Sequence, residues 1–181
     1  MKQSIPNLLT FSRIIVIPAL VAVFYIPGEW GYLLSAGLFL YAGVTDYLDG
    51  YLARFWQVTS GLGRFLDPIA DKLLVATALM LLVGADRAPI IPSLAILGRE
   101  ILVSGLREFL AELRVQMPVT HLAKYKTAAQ MLAIGLLLLG AGAPNYLPAE
   151  FLGKVLLWIA AGLTLFTGYV YLKEGVKHFK D

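Results

Sequence analysis

Asp46-Tyr47-Leu48-Asp49-Gly50-Tyr51-Leu52-Ala53-Arg54, followed after eight intervening residues by Gly63-Arg64-Phe65-Leu66-Asp67-Pro68-Ile69-Ala70-Asp71, sets four carboxylates into a chain otherwise suited to hydrocarbon. Spacings of three and four put the members of each pair on one helix face, about 60° apart for Asp46 and Asp49 and about 40° for Asp67 and Asp71. On neighbouring helices, four carboxylates would converge in a small volume. Like charges gathered there repel one another and are hard to dehydrate, so something must neutralise them. Protonation is one answer. Hard divalent cations suit clustered carboxylate oxygens better, and Mg²⁺ also coordinates phosphates. No His or Cys lies in these stretches, which argues against zinc.

Outward from this stretch, composition says where it sits. Of 181 residues, 59% are apolar and 15% charged, and the mean hydropathy is +0.74. Soluble domains lie near about 45–50% apolar and about a quarter charged. A spanning helix needs roughly 20 mostly apolar residues, and six segments meet that need: roughly 9–27, 31–52, 66–84, 89–113, 122–142 and 151–172. The expected fold is all-α, an integral membrane bundle of six transmembrane helices. It forms one catalytic domain over 1–181, with residues 1–8 read either as a short interfacial stretch or as the start of the first helix. No linker, repeat or low-complexity stretch divides the chain, and there are no cysteines. The amino terminus lacks a small-residue cleavage site and reads as retained.

Charge gives orientation. Lys2, Arg54, Arg64, Arg114, Lys124, Lys126, Lys173, Lys177 and Lys180 fall on one side, against little beyond Arg87 and Lys154 on the other. By the positive-inside rule the first side is cytoplasmic, with both termini and the carboxylates there. A net charge of +3 is too small to indicate nucleic acid, whereas cations at a membrane edge suit anionic lipid headgroups. Trp30, Tyr32, Trp56, Tyr146 and Trp158 read as interfacial anchors.

Plainer explanations exist for single residues. Asp67 before Pro68 could be an N-cap with proline at the first helical position, and Asp71 could pair with Lys72. Gly50, Ala53 and Gly63 could serve tight helix packing or close approach of a ligand. Arg54 offers a fork of donors for phosphate or a topology anchor. For four aspartates together the plain readings are strained, because ionisable residues within membrane segments are rare and usually functional.

In order, these residues spell Asp46-x2-Asp49-Gly50-x2-Ala53-Arg54-x8-Gly63-x3-Asp67-x3-Asp71, which resembles the full signature of the CDP-alcohol phosphotransferase family at eight positions over 26 residues. The resemblance implies two Mg²⁺ or Mn²⁺ ions beside the diphosphate of a CDP-lipid. It implies attack by an acceptor hydroxyl on the lipid-linked phosphorus, with CMP leaving. By position, Asp46, Asp49 and Asp67 match metal ligands. Asp71 matches the residue proposed to take the acceptor's proton and is also counted among the metal ligands. Gly50, Ala53, Arg54 and Gly63 match the nucleotide side. The likeness also implies a homodimer and a bacterial inner-membrane setting.

The signature leaves the acceptor open. Pro6-Asn7-Leu8-Leu9-Thr10 through Arg13, Ala70-Asp71-Lys72-Leu73, Gly98-Arg99-Glu100 with Ser104-Gly105-Leu106-Arg107-Glu108, and Lys124-x-Lys126-Thr127-x2-Gln130-Met131 resemble family members that join CDP-diacylglycerol to glycerol 3-phosphate. An acceptor bearing phosphate needs cations, and Arg99, Arg107, Lys124 and Lys126 are available. Arg99 and Arg107, eight apart, lie within about 80° around a helix. Lys124 and Lys126 cannot share one face, so one of them is expected to point inward. The competing readings are an internal salt bridge from Arg99 to Glu100 or Glu108, and lysines that snorkel to the interface.

Three function classes fit membrane carboxylates. The first is the transferase, with inositol phosphate, serine or phosphatidylglycerol as rival acceptors. The second is a cation transporter, which would spread acidic residues over several depths. The third is a structural membrane protein, which would tolerate loss of the aspartates.

Overall fold

The computed structural model describes residues 4–56, 61–112 and 121–176. Six long helices follow one another: α1 (Ser4–Phe24), α2 (Glu29–Trp56), α3 (Gly61–Gly84), α4 (Ile90–Glu112), α5 (His121–Leu139) and α6 (Ala149–Val176), with a short 3₁₀ turn at Gly140–Gly142 after α5. No strand occurs among the described residues. Each helix covers most of one of the six apolar segments: α1 and α5 end three residues short of theirs, at Phe24 and Leu139, while several other ends run past. α2 runs on to Trp56, α3 starts at Gly61 and α6 continues to Val176, all beyond the apolar stretch and through charged residues. Good helix formers keep the backbone bonded after the hydrophobic run has ended. α1 begins at Ser4 and runs without a break, so the part of 1–8 that is described is continuous with it; residues 1–3 lie outside the described residues.

The opposite ends stop at turn chemistry. Pro27 cannot extend α1, and Gly28 takes φ +83°, a left-handed conformation open to glycine. Gly28 then accepts a hydrogen bond from the Gly31 amide at 3.2 Å. Pro68 lies inside α3, which removes one of the plainer explanations for Asp67. The helix begins two turns earlier, so Asp67 is not an N-cap and Pro68 is not a first-turn proline.

Contacts between ends show that successive helices run in alternating directions. Arg13 of α1 meets residues near the end of α2 and the start of α3, while Arg87, between α3 and α4, meets Phe24 and the carboxyl end of α5. α1 packs along both α2 and α3, α4 packs on α6, and α5 packs on α6 and α2. α2 and α3 make little direct contact among the described residues. The two aspartate-bearing helices are therefore joined across α1.

The core is built from Leu20, Phe39, Leu79, Leu82, Ile96, Ile134, Leu137, Leu138 and Leu157, interleaved with Ala42, Ala78, Ala133, Ala160 and Ala161. Small residues at helix contacts let the backbones approach closely, as in membrane bundles. Two stretches, Tyr125–Gly142 and Ala149–Gly175, are long and apolar enough to cross a membrane by length and composition, and Phe11–Phe24 is a shorter apolar run. In α3 and α4 the uninterrupted apolar run is cut by Asp71-Lys72 and Arg99-Glu100.

Candidate active site

Arg13 is the only ionisable residue between Ser4 and Phe24, and it is 2% exposed. Its NH1 donates to Asp46 Oδ1 at 2.6 Å and to Asp71 Oδ1 at 2.8 Å, and its NH2 donates to Asp67 Oδ1 at 3.2 Å. One planar guanidinium thus gathers carboxylates from α2 and α3 with a fork of donors, the geometry in which arginine outperforms lysine. The three aspartates keep 46%, 40% and 47% of their side-chain surface in the order 46, 67, 71, so they remain open to a ligand while the arginine is enclosed. One positive charge against three negative ones leaves this pocket acidic.

The donor set fits a hard divalent cation: carboxylate oxygens from two helices converge on a point, without nitrogen or sulfur ligands. Among the described residues, no group of three acidic or histidine side chains is arranged to hold an ion as it stands. The Arg13 guanidinium occupies the point on which the oxygens converge.

A second, basic half lies where α4, α5 and α6 meet. Lys126, 4% exposed, donates to Glu100 Oε1, and Arg99 NH1 donates to the same oxygen at 3.2 Å. Arg99 NH2 donates to Thr167 Oγ1 at 3.3 Å, while the Thr167 hydroxyl donates to the Leu163 carbonyl at 2.9 Å. Arg107 NH2 donates to the Tyr171 hydroxyl at 3.2 Å. Both guanidiniums also face the Tyr171 ring, at 5.6 Å for Arg99 and 5.1 Å for Arg107. Here Arg99 and Lys126 share the Glu100 carboxylate, and Arg107 stands beside Arg99 on the Tyr171 ring, a gathering of cations that suits an anion. Two buried polar atoms in this region, Arg99 Nε and Gln130 Oε1, have no hydrogen-bond partner among the described residues. The halves are linked through Lys72, next to Asp71, which donates to Ser104 of α4, one turn beyond Glu100.

Of the residues expected at the site, Asp46, Asp67 and Asp71 come together, as do Arg99, Arg107 and Lys126. Gly50 is exposed on α2. The side chains of Asp49, Ala53, Arg54 and Lys124 and the surroundings of Gly63 lie outside what is described, although their backbones belong to α2, α3 and α5. Of the two proposed partners for Arg99, the structure selects Glu100. Arg13, Thr167 and Tyr171 were given no role from sequence. For Arg13 a signal existed: a single charge in an apolar segment needs a partner. Thr167 and Tyr171 carry no such mark in α6.

Comparison with known proteins places the chain. The family described as CDP-alcohol phosphatidyltransferase matches residues 3–166. A Rickettsia felis protein named CDP-diacylglycerol–glycerol-3-phosphate 3-phosphatidyltransferase is 46% identical over 177 residues, covering 98% of each chain. A Pseudomonas fluorescens protein of the same name is 44% identical over 183 residues, covering 98% of this chain and 93% of its own. One from Haemophilus influenzae is 45% identical over 177 residues, covering 96% and 94%. The chain belongs to the CDP-alcohol phosphatidyltransferase family.

Proposed function

We propose that the chain transfers the phosphatidyl group of CDP-diacylglycerol to glycerol 3-phosphate, giving phosphatidylglycerophosphate and CMP in phospholipid biosynthesis. The observation that carries this reading is the gathering of Asp46, Asp67 and Asp71 from two helices onto one guanidinium, with the cations Arg99, Arg107 and Lys126 clustered where α4, α5 and α6 meet. The names of its full-length relatives support the choice of acceptor.

Asp46, Asp49 and Asp67 would hold two Mg²⁺ or Mn²⁺ ions, with Asp71 alongside. Those ions, when bound, supply charge neutralisation and alignment of the diphosphate for in-line displacement. Gly50, Ala53, Arg54 and Gly63 form the nucleotide side. Arg99, Arg107 and one of Lys124 and Lys126 bind the acceptor's phosphate, and Glu100 holds Arg99 and Lys126 close together. The acceptor hydroxyl oxygen forms the new bond to the phosphatidyl phosphorus. Its proton passes to the Asp71 carboxylate, and the bond to the CMP oxygen breaks with its electron pair. The protein's part is positioning and electrostatics, the main sources of rate in phosphoryl transfer.

The same reading places all six helices across a bacterial inner membrane, with both termini and the site at the cytoplasmic face and two chains forming a homodimer. Every helix exposes large apolar side chains: Ile15 at 68%, Leu40 at 67%, Met80 at 70%, Leu94 at 67%, Leu132 at 61% and Phe166 at 58%. An apolar belt on all sides suits lipid rather than water.

Purified protein supplied with CDP-diacylglycerol and separately with glycerol 3-phosphate, serine, inositol phosphate or phosphatidylglycerol tests this directly. CMP release is expected with glycerol 3-phosphate alone, and only with Mg²⁺ or Mn²⁺ present. Release with serine or inositol phosphate and none with glycerol 3-phosphate would overturn the acceptor assignment. Cation flux through proteoliposomes without CMP release would favour transport.

A further inference from the structure

A buried arginine at the centre of three carboxylates must do more than balance charge. Among the described residues α2 and α3 make little direct contact while α1 packs on both, so α1 bridges Asp46 on one to Asp67 and Asp71 on the other. Arg13 is the only charged residue α1 offers. It is enclosed, while the carboxylates it binds are nearly half open. A cation arriving from the open side meets oxygens already engaged by the guanidinium. It then shares those carboxylates with a guanidinium whose NH1 already engages Asp46 Oδ1 and Asp71 Oδ1, and its pull on them is opposed by a like charge a few ångströms away.

We propose that Arg13 is a tethered cation that competes with divalent ions for the aspartate oxygens, positioning α2 and α3 for ion binding while weakening it. This rests on the metal-binding reading above. The physical logic is a balance of two effects. Without the guanidinium, three carboxylates in a partly dehydrated pocket repel one another, and the bundle loses stability. With it, each incoming ion feels a positive charge within a few ångströms and finds ligand oxygens already hydrogen-bonded, so affinity falls. A chain arranged this way keeps its site assembled across a range of ion concentrations and can release the ions again.

The test compares the full chain with Arg13→Gln and Arg13→Lys in detergent, reading free Mn²⁺ by electron paramagnetic resonance during titration and thermal unfolding in parallel. Arg13→Gln is expected to bind Mn²⁺ roughly tenfold more tightly, because a like charge has left the pocket. Arg13→Lys keeps the charge but loses the fork and should fall between the two. In EDTA, Arg13→Gln should melt several degrees below the unaltered protein, and saturating Mn²⁺ should narrow that gap because the ion binds the folded state. Unchanged or weaker Mn²⁺ binding by both variants, beside normal binding by the unaltered protein, would overturn the competition and leave the metal site standing. A melting gap that Mn²⁺ does not narrow would also overturn it. If Arg13→Gln does not fold, Arg13→Lys alone decides by the direction of its affinity change. Absence of Mn²⁺ binding by the unaltered protein would overturn the metal reading and this inference together.

Discussion

The guanidinium carbon of Arg99 lies 5.6 Å from the ring centre of Tyr171, and the same ring faces Arg107 at 5.1 Å. Two like charges share one aromatic ring, and Arg99 also shares the Glu100 carboxylate with Lys126. That arrangement holds arginines in place for an anion. Tyr171→Ala removes the face and the hydroxyl that accepts from Arg107. A cation–π contact contributes about 0.5–2 kcal/mol as it becomes desolvated, so KM for glycerol 3-phosphate should rise several-fold while KM for CDP-diacylglycerol changes little. Tyr171→Phe, which keeps the ring, should recover most of the loss. Steady-state kinetics with each substrate varied in turn checks this; equal changes in both constants would count against it.

Asp67 accepts from Arg13 NH2 at 3.2 Å and is one of the residues matched to metal ligands. Asp67→Asn keeps the size and an acceptor oxygen but removes the charge that a hard cation needs. Transfer should fall by at least about a hundredfold, with the protein still inserted in membranes and still folded. CMP release and a thermal melt on the same preparation measure both outcomes. Full turnover in this variant would remove the basis for the carboxylate site.

At the other end of the bundle, Arg87 donates to the Leu137 carbonyl and to the Leu138 carbonyl at 3.0 Å. It also stacks over Tyr32 at 4.5 Å and Phe24 at 5.7 Å. It thus caps α5, whose last carbonyls have no helical partner, and ties α1, α2 and α5 together. Gly140, at φ +41°, leaves the space the guanidinium fills. Arg87→Ala should cost about 2–3 kcal/mol of stability, the range for hydrogen bonds to a charged donor plus cation–π contact. The melting temperature in detergent should fall while kcat at low temperature stays near that of the unaltered protein, because the site lies at the opposite helix ends.

How much of this was readable beforehand depends on which interactions are local. Aspartate pairs at spacings of three and four announce a shared helix face through backbone geometry alone, and six apolar segments announce six helices. The ends were not readable, because α2, α3 and α6 continue through charged residues where hydropathy no longer guides. Nor was the junction itself. Adjacent acidic helices were the natural expectation, whereas α1 lies between them and Arg13 joins residues 33, 58 and 54 positions away. Likewise, Lys126 and Arg99 were each marked as cations for phosphate, but their shared partner Glu100 depends on α4 and α5 meeting at one point. Tyr171 and Thr167 gave no signal, since an aromatic and a threonine in an apolar helix are ordinary residues until a guanidinium is placed on them.

The packing of α5 on α6 gives a last expectation, separate from the chemistry. A Cβ at Gly153 would stand 2.7 Å from Leu137 Cγ, 2.9 Å from Leu137 Cδ2 and 3.1 Å from the Leu137 backbone nitrogen. Leu137 is fully buried, and its backbone is held in α5, so the clash cannot be relieved by moving one flexible side chain. The helices must separate locally, and tightly packed interiors resist such overpacking at a cost of about 1–3 kcal/mol. Gly153→Ala should therefore lower the melting temperature. Pairing it with Leu137→Ala should recover part of the loss, because the smaller side chain makes room at the contact. A Gly153→Ala protein as stable as the original would mean that α5 and α6 do not approach as closely as Gly153 and Leu137 require.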